Sequence, residues 1–85
     1  MVIVKTMQLT AIIEREGDGY VSLCPELDVA SQGGSVDEAR KNLVDAVELF
    51  FESADKSEIK SRLHDEVLVT RLDVAVGRGV KVSGV

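Results

Sequence analysis

An α+β domain, with an antiparallel sheet packed on one long helix and its elements in the order β-β-β-α-β, is what this chain of 85 residues predicts. Three observations carry that prediction. An Asp18-Gly19 pair lies between two β-rich stretches, Ser35 and Glu38 mark a helix start, and a second alternating run extends from Glu66 to Val76. One domain over residues 1–85 is expected, since a chain this short has room for a single core.

Taken in order, Met7, Leu9, Ala11 and Ile13 alternate with Gln8, Thr10 and Glu14, the two-residue period of a strand with one buried face. Ile12 interrupts the pattern. Gly17 and the Asp18-Gly19 pair tolerate positive φ, so a tight hairpin should return the chain antiparallel over Tyr20 to Cys24. Pro25 lacks an amide donor and holds Cys24 extended, which ends that ladder. A third strand is expected over Leu27 to Gln32.

Gly33 and Gly34 then punctuate the chain ahead of its clearest element. Ser35 and Glu38 fit a capping box, and Asp37 and Glu38 place negative charge at the positive end of the helix dipole. Val36, Ala39, Leu43, Ala46, Val47, Phe50 and Ala54 recur at helical spacing, while Arg40, Lys41, Asn42, Asp45, Glu48 and Glu52 take the other side. Val44 and Phe51 lie beside that apolar stripe and make it wider than one sheet contact needs, which fits equally a helix seated deeply in its own core and a second contact, for which these two are the self-association candidates.

Beyond the helix, a short second helix capped by Ser57 would carry Ile59 and Leu63 on one side. From Glu66 to Val76, Leu68, Leu72, Val74 and Val76 share one face of a fourth strand, with Val67, Val69, Arg71, Asp73 and Ala75 on the other. The tail, residues 77–85, has too many glycines for a helix and is read as a mobile end, or as an edge strand for another chain.

Composition bounds the function. Hydrophobic residues make up 45% of the chain and proline occurs once, which argues against disorder. The single cysteine cannot form an internal disulfide, and the N-terminal residues reach charge too soon for a signal core or a membrane span. A cytoplasmic protein is expected. A net charge of -5 disfavours non-specific binding to nucleic acid, which draws its affinity from Lys and Arg; it serves solubility first, and also suits a basic partner.

Catalytic readings are weaker. Cys24 and His64 could be imagined as nucleophile and base, but no third residue is marked out to orient the imidazole. One Cys and one His cannot supply a closed metal shell. Glu14, Glu16, Asp18, Glu26 and Asp28 cluster around the hairpin and crossover and could hold Mg²⁺ in a small metal-dependent nuclease, although their spacing forces no two of them to converge. The final Gly-Arg-Gly segment precedes no helix and so is no phosphate loop. Neither a cofactor nor catalysis is expected.

The order Gly19, Tyr20, Pro25, Gly33, Ser35, Glu38 and Ala39 resembles the HicB family of antitoxins, whose shared pattern is a Gly-Tyr strand, a proline, a glycine-ended segment and a Thr/Ser-x-x-Glu-Ala helix start. The resemblance covers about residues 7 to 54, and departs from the pattern at Asp28 and Val29, where many members have a Gly-Cys pair. It implies a partial ribonuclease H-like fold without that enzyme's active site. It also implies a partner, a small basic HicA-like toxin that cleaves messenger RNA and is neutralised by being occluded in a type II toxin-antitoxin system. Many members append a DNA-binding domain, but too few helical residues follow Phe51 for one here, so DNA binding by this chain is not expected. The reading is thus a self-associating, toxin-binding module. Its alternatives are an orphan scaffold without a toxin, and the metal-dependent nuclease.

Overall fold

The hairpin forms one residue earlier than its Asp-Gly signal suggested. In the computed structural model, which describes residues 7–64 and 66–77, strand β1 (Ile12–Glu16) pairs antiparallel with β2 (Gly19–Cys24), and Glu16 faces Gly19. The two-residue loop is therefore Gly17-Asp18, with Gly17 at φ 60° as the first position of a II′ turn requires. Gly19 already belongs to the ladder. The ladder begins at Ile12, so the expected strand from Met7 is shorter: Met7 and Ala11 are exposed, and only Leu9 among the early residues packs against the core.

Strand β3 (Val29–Gly33) pairs antiparallel with β2, giving a three-stranded meander in the order β1-β2-β3. It starts two residues later than expected. Residues 25–28 form a turn in which Asp28 adopts φ 55°, a left-handed conformation that aspartate tolerates better than most side chains. Leu27, placed at the head of the third strand by its hydrophobicity, instead drops from this turn into the core and is fully buried.

Helix α1 (Val36–Ser53) starts where its cap predicts, with the Ser35 hydroxyl accepting from the Glu38 amide at 3.1 Å. The reciprocal half of the box lands one residue early. The Glu38 carboxylate accepts from the Gly34 amide at 2.7 Å. An N-cap of this kind is worth about 1 kcal/mol. Ala39 and Leu43 are buried, Ala46, Val47 and Phe50 half-buried, but Val36 is exposed because the first turn overhangs the sheet.

Helix α2 (Lys56–Arg62) is capped by Asp55, not Ser57: the Asp55 carboxylate accepts from the Glu58 amide at 2.8 Å and from the Ser57 hydroxyl at 2.9 Å. A carboxylate two residues upstream is the stronger acceptor for the orphan amides. Ile59 is half-buried and Leu63 packs on the core, as their spacing predicts.

The core comprises Cys24, Leu27 and Leu43, with Leu9, Val29, Val47, Phe50, Phe51 and Leu63 packed around it. Arg62 fastens α2 to it. Its guanidinium donates to the Leu27 carbonyl at 3.2 and 2.9 Å and to the Asp28 carbonyl at 3.0 Å, and lies 5.0 Å from the centre of the Phe50 ring.

The closing strand of the predicted order does not form. The described residues 66–77 carry no strand, and Leu68, Val69, Leu72, Val74 and Val76 are each more than half exposed. A strand needs a ladder, and this segment pairs with no described element of its own chain. Burying one leucine or valine is worth about 1.5–3 kcal/mol, none of which these side chains realise fully. The Cα radius of gyration, 16.6 Å, compares with about 12 Å for a compact domain of this length, so part of the chain stands away from the body. The tail reading for 77–85 lies outside the described residues except at Gly77, which is exposed. Among the described residues, no helix is long and apolar enough to cross a membrane.

Candidate partner-binding surface

The sheet has two unlike faces, assigned by its register. Ser22 points inward: its hydroxyl, buried, donates to the Ala39 carbonyl of α1 at 2.9 Å. Cys24 shares that side, so alternation and pairing put Ile12, Glu14, Glu16, Val21, Leu23, Ala30 and Gln32 on the other. That outer face is open. Glu14, Glu16, Leu23, Ala30 and Gln32 are exposed, and Ile12 and Val21 are half-buried against one another's neighbours. It joins a small apolar strip to two carboxylates at the hairpin end.

On the inner side the helix is off-centre. α1 packs chiefly against β3, less against β2 and marginally against β1. The flank of the helix nearest β1 is therefore uncovered, and an open groove of about 990 Å³ runs between residues 7–11 and that flank, lined among others by Leu9, Leu43, Val44, Val47 and Phe51. Val44 is 46% exposed at its rim and Phe51 half-buried in it. The two self-association candidates thus share one groove. Met7 and Leu9, read as strand residues, and Val47, read on the apolar stripe of the helix, belong to the same surface, which only the placement of α1 relative to residues 7–11 brings together. Leu49, 60% exposed on the helix, had no signal beyond its own hydrophobicity.

The motif residues gather at the N-terminal end of the helix. A Cβ on Gly19 would stand 3.0 Å from the Gly33 carbonyl oxygen, and a Cβ on Gly33 would stand 2.5 Å from the Ala39 amide nitrogen. Tyr20 pairs with Gly33 across the sheet, and Ser35 and Glu38 cap the helix above them. Pro25 opens the turn that delivers Leu27. These residues set how closely helix and sheet approach.

The residues of the catalytic readings are already engaged. Both Glu26 carboxylate oxygens accept from the Thr10 amide at 3.0 Å, and one of them also accepts from the Thr10 hydroxyl at 2.7 Å. The Cys24 thiol donates to the same carboxylate at 3.5 Å. Burial first, and then the adjacent Glu26 carboxylate, push the thiol above its ordinary value, the reverse of what activates a nucleophile. His64 lies elsewhere, with Nε2 3.7 Å from an Asp28 carboxylate oxygen and its backbone amide donating to the Glu26 carbonyl at 2.9 Å. Among the described residues, no three His, Cys, Asp or Glu side chains converge as metal ligands would. Glu26 and Asp28, the pair on which the nuclease reading leaned hardest, thus have structural partners.

Glu26 fastens the approach to β1 onto the end of β2. Burial alone would raise its carboxyl, but the Thr10 hydroxyl and amide hold it below its ordinary value because they donate to the ionised form. With the folded value below the unfolded one, Glu26 contributes stability above about pH 4.3 that is lost as pH falls through the folded value. Glu26→Gln is expected to cost about 1 kcal/mol at neutral pH, with the wild-type and variant melting curves converging as pH falls from about 5 to 3. Thermal melts across that range test it; a constant gap would show that the carboxylate charge plays no part.

Two of three comparisons with known proteins give no match: no family profile fits the chain, and no solved structure resembles it. A UPF0150 protein of Helicobacter pylori (strain J99 / ATCC 700824) is 29% identical over 70 residues, a stretch that covers 81% of this chain and 97% of that protein. The chain is therefore similar, over most of its length, to nearly the whole of another small protein.

Proposed function

We propose that this chain is an antitoxin-type binding module, which neutralises a small basic HicA-like RNA-cleaving toxin by covering it and performs no catalysis of its own. The observation that carries the reading is the open outer sheet face, where Glu14 and Glu16 adjoin Val21 and Leu23 in a chain of net charge -5. Carboxylates beside an apolar strip suit a basic protein: the charges speed and orient the encounter, and the apolar side chains supply the desolvated centre of the contact. The resemblance of the Gly19-to-Ala39 motif order to HicB antitoxins supports the same reading. So does the engagement of Cys24, Glu26 and Asp28 in contacts that hold the fold together.

The test is neutralisation. A small basic protein is expected to be encoded beside this chain; it should arrest growth when expressed alone, be relieved by co-expression of the chain, and co-purify with it, and the absence of such a neighbour would count against the reading. Glu16→Lys combined with Leu23→Arg should weaken that complex at least tenfold, because it reverses a charge and places a cation in the apolar strip. Cleavage of RNA by the purified chain with Mg²⁺, abolished by Glu26→Ala with Asp28→Ala, would overturn the reading in favour of a nuclease.

A further inference from the structure

Two surfaces of this chain lack a partner, and each has the form of the other. One is the groove beside residues 7–11, together with the outer edge of β1, which among the described residues pairs only with β2. The other is the arm, residues 66–77, whose Leu68, Leu72, Val74 and Val76 recur with the two-residue period of a half-buried strand while remaining 79, 77, 67 and 56% exposed. Such alternation is idle in a segment that forms no ladder with any described element.

We propose that two copies of this chain exchange arms: residues Leu68 to Val76 of each copy add a strand to the β1 edge of the other and fill its groove with their even-numbered apolar side chains. The dimensions agree. Nine extended residues span about 30 Å, enough to pair along the Ile12–Glu16 edge, about 17 Å long, and to continue past residues 7–11, which wall the groove. The charges agree as well, since the groove is bordered by Arg40 and Glu48 and the arm carries Arg71 and Asp73, one of each sign on either side. A two-fold exchange makes every contact twice, so a pair of arms buries double the area of one arm.

A second copy is favoured over other occupants because both halves of the contact reside in one sequence. It is favoured over the chain's own arm because residues 66–77 pair with no described element of their own chain and leave Leu68, Leu72, Val74 and Val76 exposed. The added strand would also cover an edge that otherwise invites uncontrolled pairing. The exchange does not depend on the toxin-binding reading, which uses the opposite face of the sheet, so either can fail alone.

The wild-type chain at micromolar concentration should elute with light-scattering mass twice the 9.2 kDa of the monomer. Leu72→Asp in the arm and Val44→Asp at the groove should each give the monomer mass while keeping a cooperative unfolding transition, since both positions are exposed in the single chain. In a Cys24→Ala background, a chain carrying Leu72→Cys mixed with one carrying Val44→Cys should form a disulfide-linked heterodimer on mild oxidation. The proposal is overturned by a monomeric wild type, by a dimer that survives Leu72→Asp, or by a fast-migrating internal disulfide when both cysteines are placed in one chain.

Discussion

Leu27→Ala is expected to remove a large part of this domain's stability, lowering its urea midpoint by about 2 M or leaving it unfolded at 37 °C. Leu27 is fully buried at the meeting point of the β2–β3 turn, α1 and α2. Truncating such a leucine costs about 2–5 kcal/mol through lost burial and the cavity left behind. A chain of this length has roughly 4–13 kcal/mol in total. The site can relax little, because the residue is also held by its backbone: its amide donates to the Cys24 carbonyl at 3.2 Å, and its own carbonyl takes two bonds from Arg62. Leu9→Ala, at the margin of the same core, should cost less, because its site is half open to the groove. Urea titration of the two variants measures both; a shift below about 0.5 M for Leu27→Ala would mean that the turn collapses into the vacated space, and that the core is less rigid than its contacts imply.

Leu27 also shows where a linear reading succeeds and where it stops. Its hydrophobicity is visible, and so are the ladder-ending chemistry of Pro25 and the residue types of Ser35 and Glu38, but not the turn at Asp28, which falls inside the strand expected over Leu27 to Gln32; local rules place α1 and the hairpin because the groups that satisfy each cap or turn lie within a few residues of it. Whether an apolar residue heads a strand or plugs a turn depends on what lies beneath it, which is a non-local fact. The same limit explains the arm. Alternation from Leu68 to Val76 predicts a strand that the chain does not form, because pattern specifies which face wants burial and says nothing of whether a partner edge is within reach. The groove was half legible: Val44 and Phe51 follow from helical spacing, whereas Leu9 and Val47 join them only once α1 is known to sit over β3. Glu26 was visible as one carboxylate in an acidic cluster. Its role as the clamp on Thr10 required coordinates, since sixteen residues separate the two and no spacing rule connects them.

Gly33→Ala is expected to destabilise the fold by about 1–3 kcal/mol, while Gly34→Ala, one residue along, should be close to neutral. In sequence the two glycines are a single mark of punctuation. In the structure a methyl group on Gly33 would lie 2.5 Å from the Ala39 nitrogen, 2.8 Å from the Glu38 carbonyl carbon and 3.0 Å from the Ala39 Cα. All three are backbone atoms of the first helical turn, so no side chain can swing aside; either β3 or the whole N-terminal end of α1 must move. Movement there is expensive, because the buried Ser22 hydroxyl is bonded to the Ala39 carbonyl and would lose its partner, and the Ser35 and Glu38 caps hold the same turn from the other side. A methyl group on Gly34 would meet only a Glu38 carboxylate oxygen at 3.7 Å, an ordinary contact. Denaturant midpoints for the two variants decide the point. Equal losses would mean that Gly33 serves backbone flexibility, and that the close approach of helix and sheet tolerates the extra methyl; a loss confined to Gly33→Ala would establish that the glycine is required by the proximity of α1.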